Sequence, residues 1–266
     1  DFTQKKADRS YFEIASNHIP ATIEKILDAA IRSGIPARDI QVLAPMYRGT
    51  AGIDAINQLM QELLNPLQKG QISFEASQFH YRTGDKVIHL VNDAEINVFN
   101  GDLGYITDLI PGKYTESKQD EIMIDFDGNE ISYPRNEWYK IRLAYAMSIH
   151  KSQGSEFPVV FLPITSASKR MLERNLIYTA ITRAKSKLIL LGELQAFDYA
   201  TKHIGTARKT YLIERFSDLT ESSEELNEPI LEPTNQINPH QPYILTEENW
   251  TSIPAMIGIS QDDLDE

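Results

Sequence analysis

Apolar positions recur at helical spacing in two early segments of the chain. Residues 23–31 and 53–64 place Ile, Leu, Met or Ala at every third or fourth position, which predicts two amphipathic helices. Pro20 is expected to open the first helix, and Asn65-Pro66 to end the second. A compact apolar run at residues 40–44 lies between them and predicts a buried strand. Helix and strand in this alternation are typical of an α/β sheet.

The pattern changes to short apolar runs between residues 72 and 138. Asn100-Gly101, Pro111-Gly112 and Asp127-Gly128 predict turns between these runs, and no helical pattern intervenes. Four or five strands in this arrangement indicate a small all-β barrel or meander. The strands are predicted over residues 86–91, 103–109, 121–126 and 130–133.

An α/β pattern returns after residue 139. Buried strands are predicted over residues 143–147, 159–163 and 188–191, with helices over residues 169–183 and 196–216. The resulting prediction is one α/β domain formed by residues 1–71 and 139–216. Residues 72–138 interrupt it as an all-β insertion, and a brief strand near residues 11–16 precedes the first helix.

Charge is distributed unevenly along the chain, whose net charge is −12. Residues 217–266 contain twelve Asp and Glu but no Lys or Arg, which predicts an acidic, partly disordered tail. A small apolar cluster around Trp250 in this tail has two readings: a strap on the body, or a short motif for a protein partner. Residues 141–216 contain 12 Lys and Arg against 5 Asp and Glu, a surplus that permits binding of nucleic acid.

Several classes of protein are excluded by composition. The chain has no cysteine, which excludes disulfide frameworks and thiolate metal sites. Its longest apolar run is far below the ~18 residues that a membrane span needs, so we expect a cytoplasmic protein without a membrane partner. The first residue is not Met, which indicates a trimmed piece of a longer protein.

Three segments contain residues suited to phosphate or sugar. The first, Gln41-Val-Leu-Ala-Pro-Met-Tyr-Arg48-Gly-Thr-Ala-Gly52, follows a predicted strand, and ligands of open α/β sheets bind beyond such strand ends. The second runs from Ala146 to Phe157 and concentrates hydrogen-bond donors around a glycine. The third, residues 175–185, is helical and places Arg183 near its end. Taken singly, Arg48 and Arg183 can equally be surface arginines, and His150 a structural histidine.

The three segments together resemble the late motifs of superfamily 1 DNA helicases, and most closely the RecD-like branch, the exodeoxyribonuclease V alpha-subunit type. The second segment reads Ser148-Ile-His-Lys-Ser-Gln-Gly-Ser-Glu156-Phe, and the third contains Tyr178-Thr-Ala-Ile-Thr-Arg183-Ala-Lys. The resemblance also covers Arg82-Thr-Gly-Asp-Lys86 and the run from Phe99 to Gly104. It implies a second RecA-like motor domain interrupted by a Src-homology-like barrel.

The resemblance further implies an ATP-dependent helicase that moves 5′-to-3′ on single-stranded DNA and unwinds duplex junctions. Arg48 and Arg183 would reach the γ-phosphate across a cleft between two motor domains. The nucleotide would contact Gln153, Gly154 and Glu156. The DNA would contact Tyr47, Ser148, His150 and Lys151.

A complete motor also needs a phosphate-binding loop and an acidic strand end for Mg²⁺. The sequence has neither: its single Gly-Lys pair, Gly112-Lys113, is followed by Tyr114. We therefore expect that ATP and Mg²⁺ bind with an N-terminal motor domain of the same protein, and that this chain alone is inactive. The alternative is a non-catalytic adaptor module that binds nucleic acid or protein.

Overall fold

The computed structural model of the chain describes residues 8–76 and 78–205. The predicted acidic tail, its cluster around Trp250 and the end of the predicted helix at 196–216 lie outside the described residues. In the part of the chain that is described, no helix is long and apolar enough to cross a membrane.

Helices and strands alternate as an α/β domain requires, with an all-β stretch in the middle. The helices are α1 (Ile19–Arg32), α2 (Ile53–Leu64), α3 (Arg174–Ile181) and α4 (Leu194–Lys202). The strands are β1 (Arg9–Glu13), β2 (Ile40–Ala44), β3 (Ser73–Ala76), β4 (Phe79–Arg82), β5 (Lys86–His89), β6 (Leu103–Ile110), β7 (Glu121–Phe126), β8 (Asn129–Pro134), β9 (Ile141–Leu143), β10 (Ala146–Ser148), β11 (Phe157–Ile164) and β12 (Ala184–Gly192).

A five-stranded parallel sheet in the order β1-β12-β11-β2-β10 forms the α/β part. Its central strands are buried along most of their length, as expected for a parallel sheet covered on both faces. Helices α1 and α2 bury apolar residues at helical spacing, such as Ile23 and Leu27, or Ile56 and Met60. The predicted α/β class with a parallel sheet is confirmed.

The all-β part contains a five-stranded antiparallel sheet in the order β8-β7-β6-β5-β9. Alternate residues of β7 are buried, the period-2 pattern of a strand with one core face. Strands β3 and β4 form a separate antiparallel pair that the alternation did not predict. The outer strand β9 lies beyond residue 138; the predicted boundaries of the insertion stay a prediction.

Three predicted elements are wrong in their extent. The helix predicted over residues 196–216 corresponds to α4, which ends at Lys202, and residues 203–205 are not helical. The helix predicted over residues 169–183 is broken, because Leu172 and Glu173 are extended and Leu172 is fully buried, so α3 begins at Arg174. The strand predicted over residues 143–147 is two strands in different sheets. Between them, the backbone N–H of Ala144 donates to Lys86, and the carbonyl of Tyr145 accepts from Val42.

A buried carboxylate joins the antiparallel sheet to helix α2. Asp85 is 0% exposed and accepts hydrogen bonds from Gln61 Nε2 (2.5 Å), Asn65 Nδ2 (2.8 Å), Tyr145 OH (3.0 Å) and the backbone N–H of Arg82 (2.8 Å). Burial raises the pKa of Asp85, and these four donors oppose that rise by stabilising the carboxylate. We call this cluster the Asp85 junction.

Lys86, the next residue, is a second buried charge. Its Nζ donates to Gln41 Oε1 at 2.8 Å, and the Gln41 amide donates to the carbonyls of Ala144 and Tyr145. Burial lowers the pKa of Lys86 to about 8, although Asp39 acts in the opposite direction. The folded chain therefore carries a group that loses its charge far more readily than an exposed lysine does.

We predict that the free energy of unfolding rises by up to about 2 kcal/mol between pH 8 and pH 9.5 because of Lys86. In this window the folded state binds fewer protons than the unfolded chain, so folding becomes more favourable as pH increases. Urea unfolding at several pH values, compared between the unaltered chain and Lys86→Met, measures the effect. An equal rise in the Lys86→Met variant contradicts the assignment.

Above pH 9.5, the ionisation of tyrosines lowers the free energy of unfolding and so opposes the effect of Lys86. Burial raises the pKa of Tyr11 to about 12 and raises the pKa of Tyr81, Tyr133 and Tyr145 further. These hydroxyls ionise first in the unfolded chain, so stability falls as pH passes about 10.

Candidate nucleotide edge and DNA edge of the parallel sheet

The parallel sheet has two separate edges at which the predicted site residues lie. Ser148 is in register with Ala44, so the segments that follow β10 and β2 emerge side by side. We call this the carboxyl edge. Phe157 is in register with Ala184, so the residues that precede β11 and β12 meet at the opposite end of the strands. We call this the amino edge.

Arg183 is fixed at the amino edge by backbone carbonyls. Its Nη1 donates to the carbonyl of Ser155 at 2.9 Å, and its Nε donates to the carbonyl of Thr179 at 3.2 Å. The Arg183 carbonyl in turn accepts from the Phe157 backbone N–H at 2.8 Å. The side chain is half-buried, which gives its guanidinium a defined position next to the segment of residues 153–156.

The predicted nucleotide residues Gln153, Gly154 and Glu156 lie next to Arg183 and are exposed. Gly154 has φ +88°, a left-handed backbone conformation that favours glycine, and no heavy atom lies within 4 Å of the Cβ that another residue would place there. Glu156 pairs with Lys185 at 3.4 Å on the surface. The structure therefore brings Arg183 together with the three residues expected at the nucleotide.

The carboxyl edge contains the loop of residues 45–52. Tyr47 is 38% exposed, and Arg48 beside it is exposed. The guanidinium of Arg142, from β9, lies 4.9 Å from the centre of the Tyr47 ring and pairs with Asp54 at 2.6 Å. A cation is thus held against an aromatic face, an arrangement that stabilises both groups.

The predicted DNA residues Ser148, His150 and Lys151 also lie at the carboxyl edge, but they differ in accessibility. Ser148 is 8% exposed, and its Oγ accepts from the Lys151 backbone N–H at 3.3 Å. His150 is exposed. Lys151 Nζ donates to Asn100 Oδ1 at 2.9 Å, and burial together with Arg142 lowers the pKa of Lys151.

The structure does not bring Arg48 and Arg183 together, so their expected convergence on one cleft is a wrong inference. Ala44 lies level with Pro163 of β11, six residues from Phe157, where Arg183 is bonded. Six residues of strand span about 20 Å. The reason is topological, because Arg48 follows a parallel strand whereas Arg183 precedes one.

Two residues that build the carboxyl edge, Arg142 and Asn100, were not predicted as site residues from the sequence. Arg142 interrupts an apolar run at residues 141–147, and an isolated charge in such a run is a signal that could have been followed. Asn100 was assigned to a turn, yet its side chain accepts from Lys151. No periodicity in the sequence predicts this contact, because it joins two different sheets.

Metal-ligating residues are not clustered in residues 8–76 and 78–205: no group of three or more His, Asp or Glu that could hold an ion is found there. That the Mg²⁺ ligands belong to another domain stays a prediction.

Two family models match the chain. The UvrD-like helicase C-terminal domain matches residues 143–191, which include the second and third motif segments. The SH3 domain of ATP-dependent RecD-like DNA helicases matches residues 56–126, from within α2 to the end of β7. The Src-homology-like character of the all-β part is thereby confirmed.

Curated relatives match at moderate identity. The ATP-dependent RecD2 DNA helicase of Deinococcus radiodurans is 35% identical over 176 residues, covering 66% of this chain and 23% of that protein. The RecBCD enzyme subunit RecD of Mycolicibacterium smegmatis is 29% identical over 152 residues, covering 57% of this chain and 25% of that protein. The chain thus spans about a quarter of the length of these relatives.

Among solved structures, the Pif1 helicase from Bacteroides in complex with ADP-AlF3 and ssDNA matches at 20% identity with a TM-score of 0.41, covering 68% of this chain and 45% of that one. The family models and the curated relatives confirm the resemblance that the three motifs predicted: the chain contains a match to the UvrD-like helicase C-terminal domain and one to the SH3 domain of RecD-like helicases, and it is similar to part of the ATP-dependent RecD2 DNA helicase.

Proposed function

We propose that this chain is the C-terminal motor half of an ATP-dependent DNA helicase that moves 5′-to-3′ along single-stranded DNA and unwinds duplex at a junction. One observation carries the proposal. The segment of residues 148–157 begins at the carboxyl edge and ends at the amino edge, beside Arg183. One short segment thus joins the residues suited to DNA to those suited to a nucleotide.

The amino edge is the nucleotide side in this proposal. Arg183 has its guanidinium anchored by two carbonyls and projects from the end of α3, a rigid support. An arginine held in this way stabilises the negative charge that develops on a transferring phosphoryl group, an effect of about 10³–10⁵ in rate. Gln153, Gly154 and Glu156 line the nucleotide beside it, with Glu156 at the ribose.

The carboxyl edge is the DNA side. His150 and Lys151 supply exposed or half-buried donors for phosphate oxygens, and Tyr47 supplies a partly exposed ring. Arg48 lies in the same loop as Tyr47, so we assign it to the DNA backbone rather than to the γ-phosphate. Ser148 is buried, and its contact with DNA depends on a shift of the Lys151 turn.

Coupling between the edges has a physical basis in this segment. A ligand shifts a conformational equilibrium by the difference in its affinity for the two states. When the cleft closes on a nucleotide at residues 153–156, the same chain segment bears the DNA contacts eight residues or fewer away. A small displacement at the amino edge therefore changes the position of the donors that hold the strand.

The chain supplies half of the nucleotide site. The phosphate-binding loop and the Mg²⁺ ligands belong, in this proposal, to an N-terminal motor domain of the same protein. When bound, ATP with Mg²⁺ supplies the phosphoryl group whose transfer provides the free energy for movement. We expect no ATP hydrolysis by the 266-residue chain alone.

Arg183→Ala is predicted to lower DNA-stimulated ATP turnover about 10³-fold or more in a protein that contains both motor domains. Binding of single-stranded DNA is expected to stay within about twofold, because Arg183 lies at the opposite edge from His150 and Lys151. Steady-state phosphate release and fluorescence anisotropy with a labelled oligonucleotide measure the two quantities.

Arg174→Ala is the matched control for this experiment, since Arg174 is an exposed arginine at the other end of the same helix. Its turnover is expected to equal that of the unaltered protein. Unchanged turnover in Arg183→Ala overturns the assignment of the nucleotide edge. That outcome is what the adaptor alternative predicts.

Lys151→Gln is predicted to weaken binding of single-stranded DNA and to reduce the slope of log affinity against log salt by about 1. The physical reason is the loss of one cation that displaces a counterion from a phosphate. The matched control is Lys185→Gln, which removes the same charge from the amino edge and is expected to leave the slope unchanged. Equal slopes for the two variants contradict the assignment of the DNA edge.

A further inference from the structure

A cavity of about 600 Å³ lies within the all-β part, beside the carboxyl edge. It is bounded on one side by the β3–β4 pair and on the other by the segment that leads from β8 into β9. Polar side chains line it together with apolar ones: Glu75, Gln78, Arg135 and Arg142 contribute polar groups, and the aromatic residues are Phe79, Tyr81, Trp138 and Tyr139.

The inner wall of the cavity is rigid. Phe79, Tyr81 and Trp138 are each 5% exposed or less, and the Trp138 ring stacks on Phe74 with a centroid separation of 5.4 Å. Tyr81 OH donates to the carbonyl of Ile141 at 3.3 Å. These contacts hold the three rings in place and leave only a small part of each exposed.

Two arginines border the cavity, and each pairs with a carboxylate: Arg135 with Asp120 and Arg142 with Asp54. The guanidinium of Arg135 lies 4.9 Å from the Trp138 ring centre, and that of Arg142 lies 5.3 Å from the Phe79 ring centre. The ring of Tyr139 is 69% exposed at the mouth. Within the described residues, the Nε of Arg142 is buried and has no hydrogen-bond partner.

Arg142 connects this cavity to the DNA edge. The same guanidinium that borders the cavity also lies 4.9 Å from the Tyr47 ring, and its charge lowers the pKa of Lys151. Arg142 thus borders both the cavity and the surface formed by Tyr47 and Lys151.

We propose that the cavity receives one unpaired nucleobase of the single strand, with Tyr139 stacking on the base at the mouth. This inference rests on the proposed DNA function. A planar heteroaromatic ring can stack on the exposed ring of Tyr139 beside the two arginines that line the cavity. An extended peptide is a different occupant of an aromatic groove, and the experiment below separates the two.

The test measures binding of the 266-residue chain to a 15-nucleotide oligothymidylate and to the same oligonucleotide in which every base is absent. Tyr139→Ala is expected to weaken binding of the intact strand about five- to tenfold, since stacking on one base is lost. It is expected to leave binding of the abasic strand unchanged. The salt dependence with the intact strand is also expected to stay unchanged, because no phosphate contact is removed.

Tyr114→Ala is the matched control, because Tyr114 is a tyrosine of similar exposure, 72%, in the turn between β6 and β7. It is expected to bind both strands like the unaltered chain. Equal loss for Tyr139→Ala and Tyr114→Ala overturns the cavity assignment. So does an equal loss of Tyr139→Ala affinity for intact and abasic strands, which places Tyr139 on the backbone.

Two further outcomes separate this inference from the function on which it rests. If the unaltered chain binds no single strand, the DNA function and the cavity assignment fail together. If the Tyr139→Ala variant binds DNA like the unaltered chain but binds a proline-rich peptide more weakly, the cavity is a peptide site. In that case only the nucleobase proposal is overturned.

Discussion

The parallel direction of the five central strands is the constraint on which the candidate site depends. Every strand begins at one edge and ends at the other, so a residue before a strand and a residue after one are separated by the strand's full length. Residues 148–157 are a short connection of this kind, because they leave β10 at one edge and enter β11 at the opposite one. The sheet thus keeps the two candidate ligand surfaces apart, and one covalent segment reaches both.

Residues of the antiparallel sheet and its turns contact residues at the carboxyl edge of the parallel sheet. Asn100 accepts from Lys151, and Arg142 lies against Tyr47. The Asp85 junction also attaches the antiparallel sheet to the end of α2. Contacts on both sides hold the insert in one orientation relative to the strands of the parallel sheet.

Much of the fold follows from local patterns in the sequence. The helices α1 and α2, most strands and the all-β character of the middle were predicted, because apolar periodicity determines which face of each element is buried. The β3–β4 pair was missed because its four-residue strands are too short to show alternation. The break before α3 was not predicted, because an apolar residue at position 172 fits the pattern of a continuous helix as well as that of a buried extended segment.

The candidate site was predictable only as far as its residues lie within continuous motifs. Gln153, Gly154, Glu156 and Arg183 meet as the resemblance implied, although their roles remain a proposal. The pairing of Arg48 with Arg183 failed because motif spacing carries no information about which end of a strand a loop occupies. Contacts between distant segments, such as Arg142 with Tyr47, depend on register between sheets and leave no periodic trace.

The carboxylate of Asp85 has a consequence for how this domain can be divided. Two of its donors, Gln61 and Asn65, come from the end of α2, and the SH3 family match itself starts at residue 56. If the insert were excised at the start of its first strand, Asp85 would lose the two amide donors from α2. Its buried carboxylate would then lack those hydrogen bonds. The barrel therefore depends for its buried carboxylate on the last turns of the helix before it.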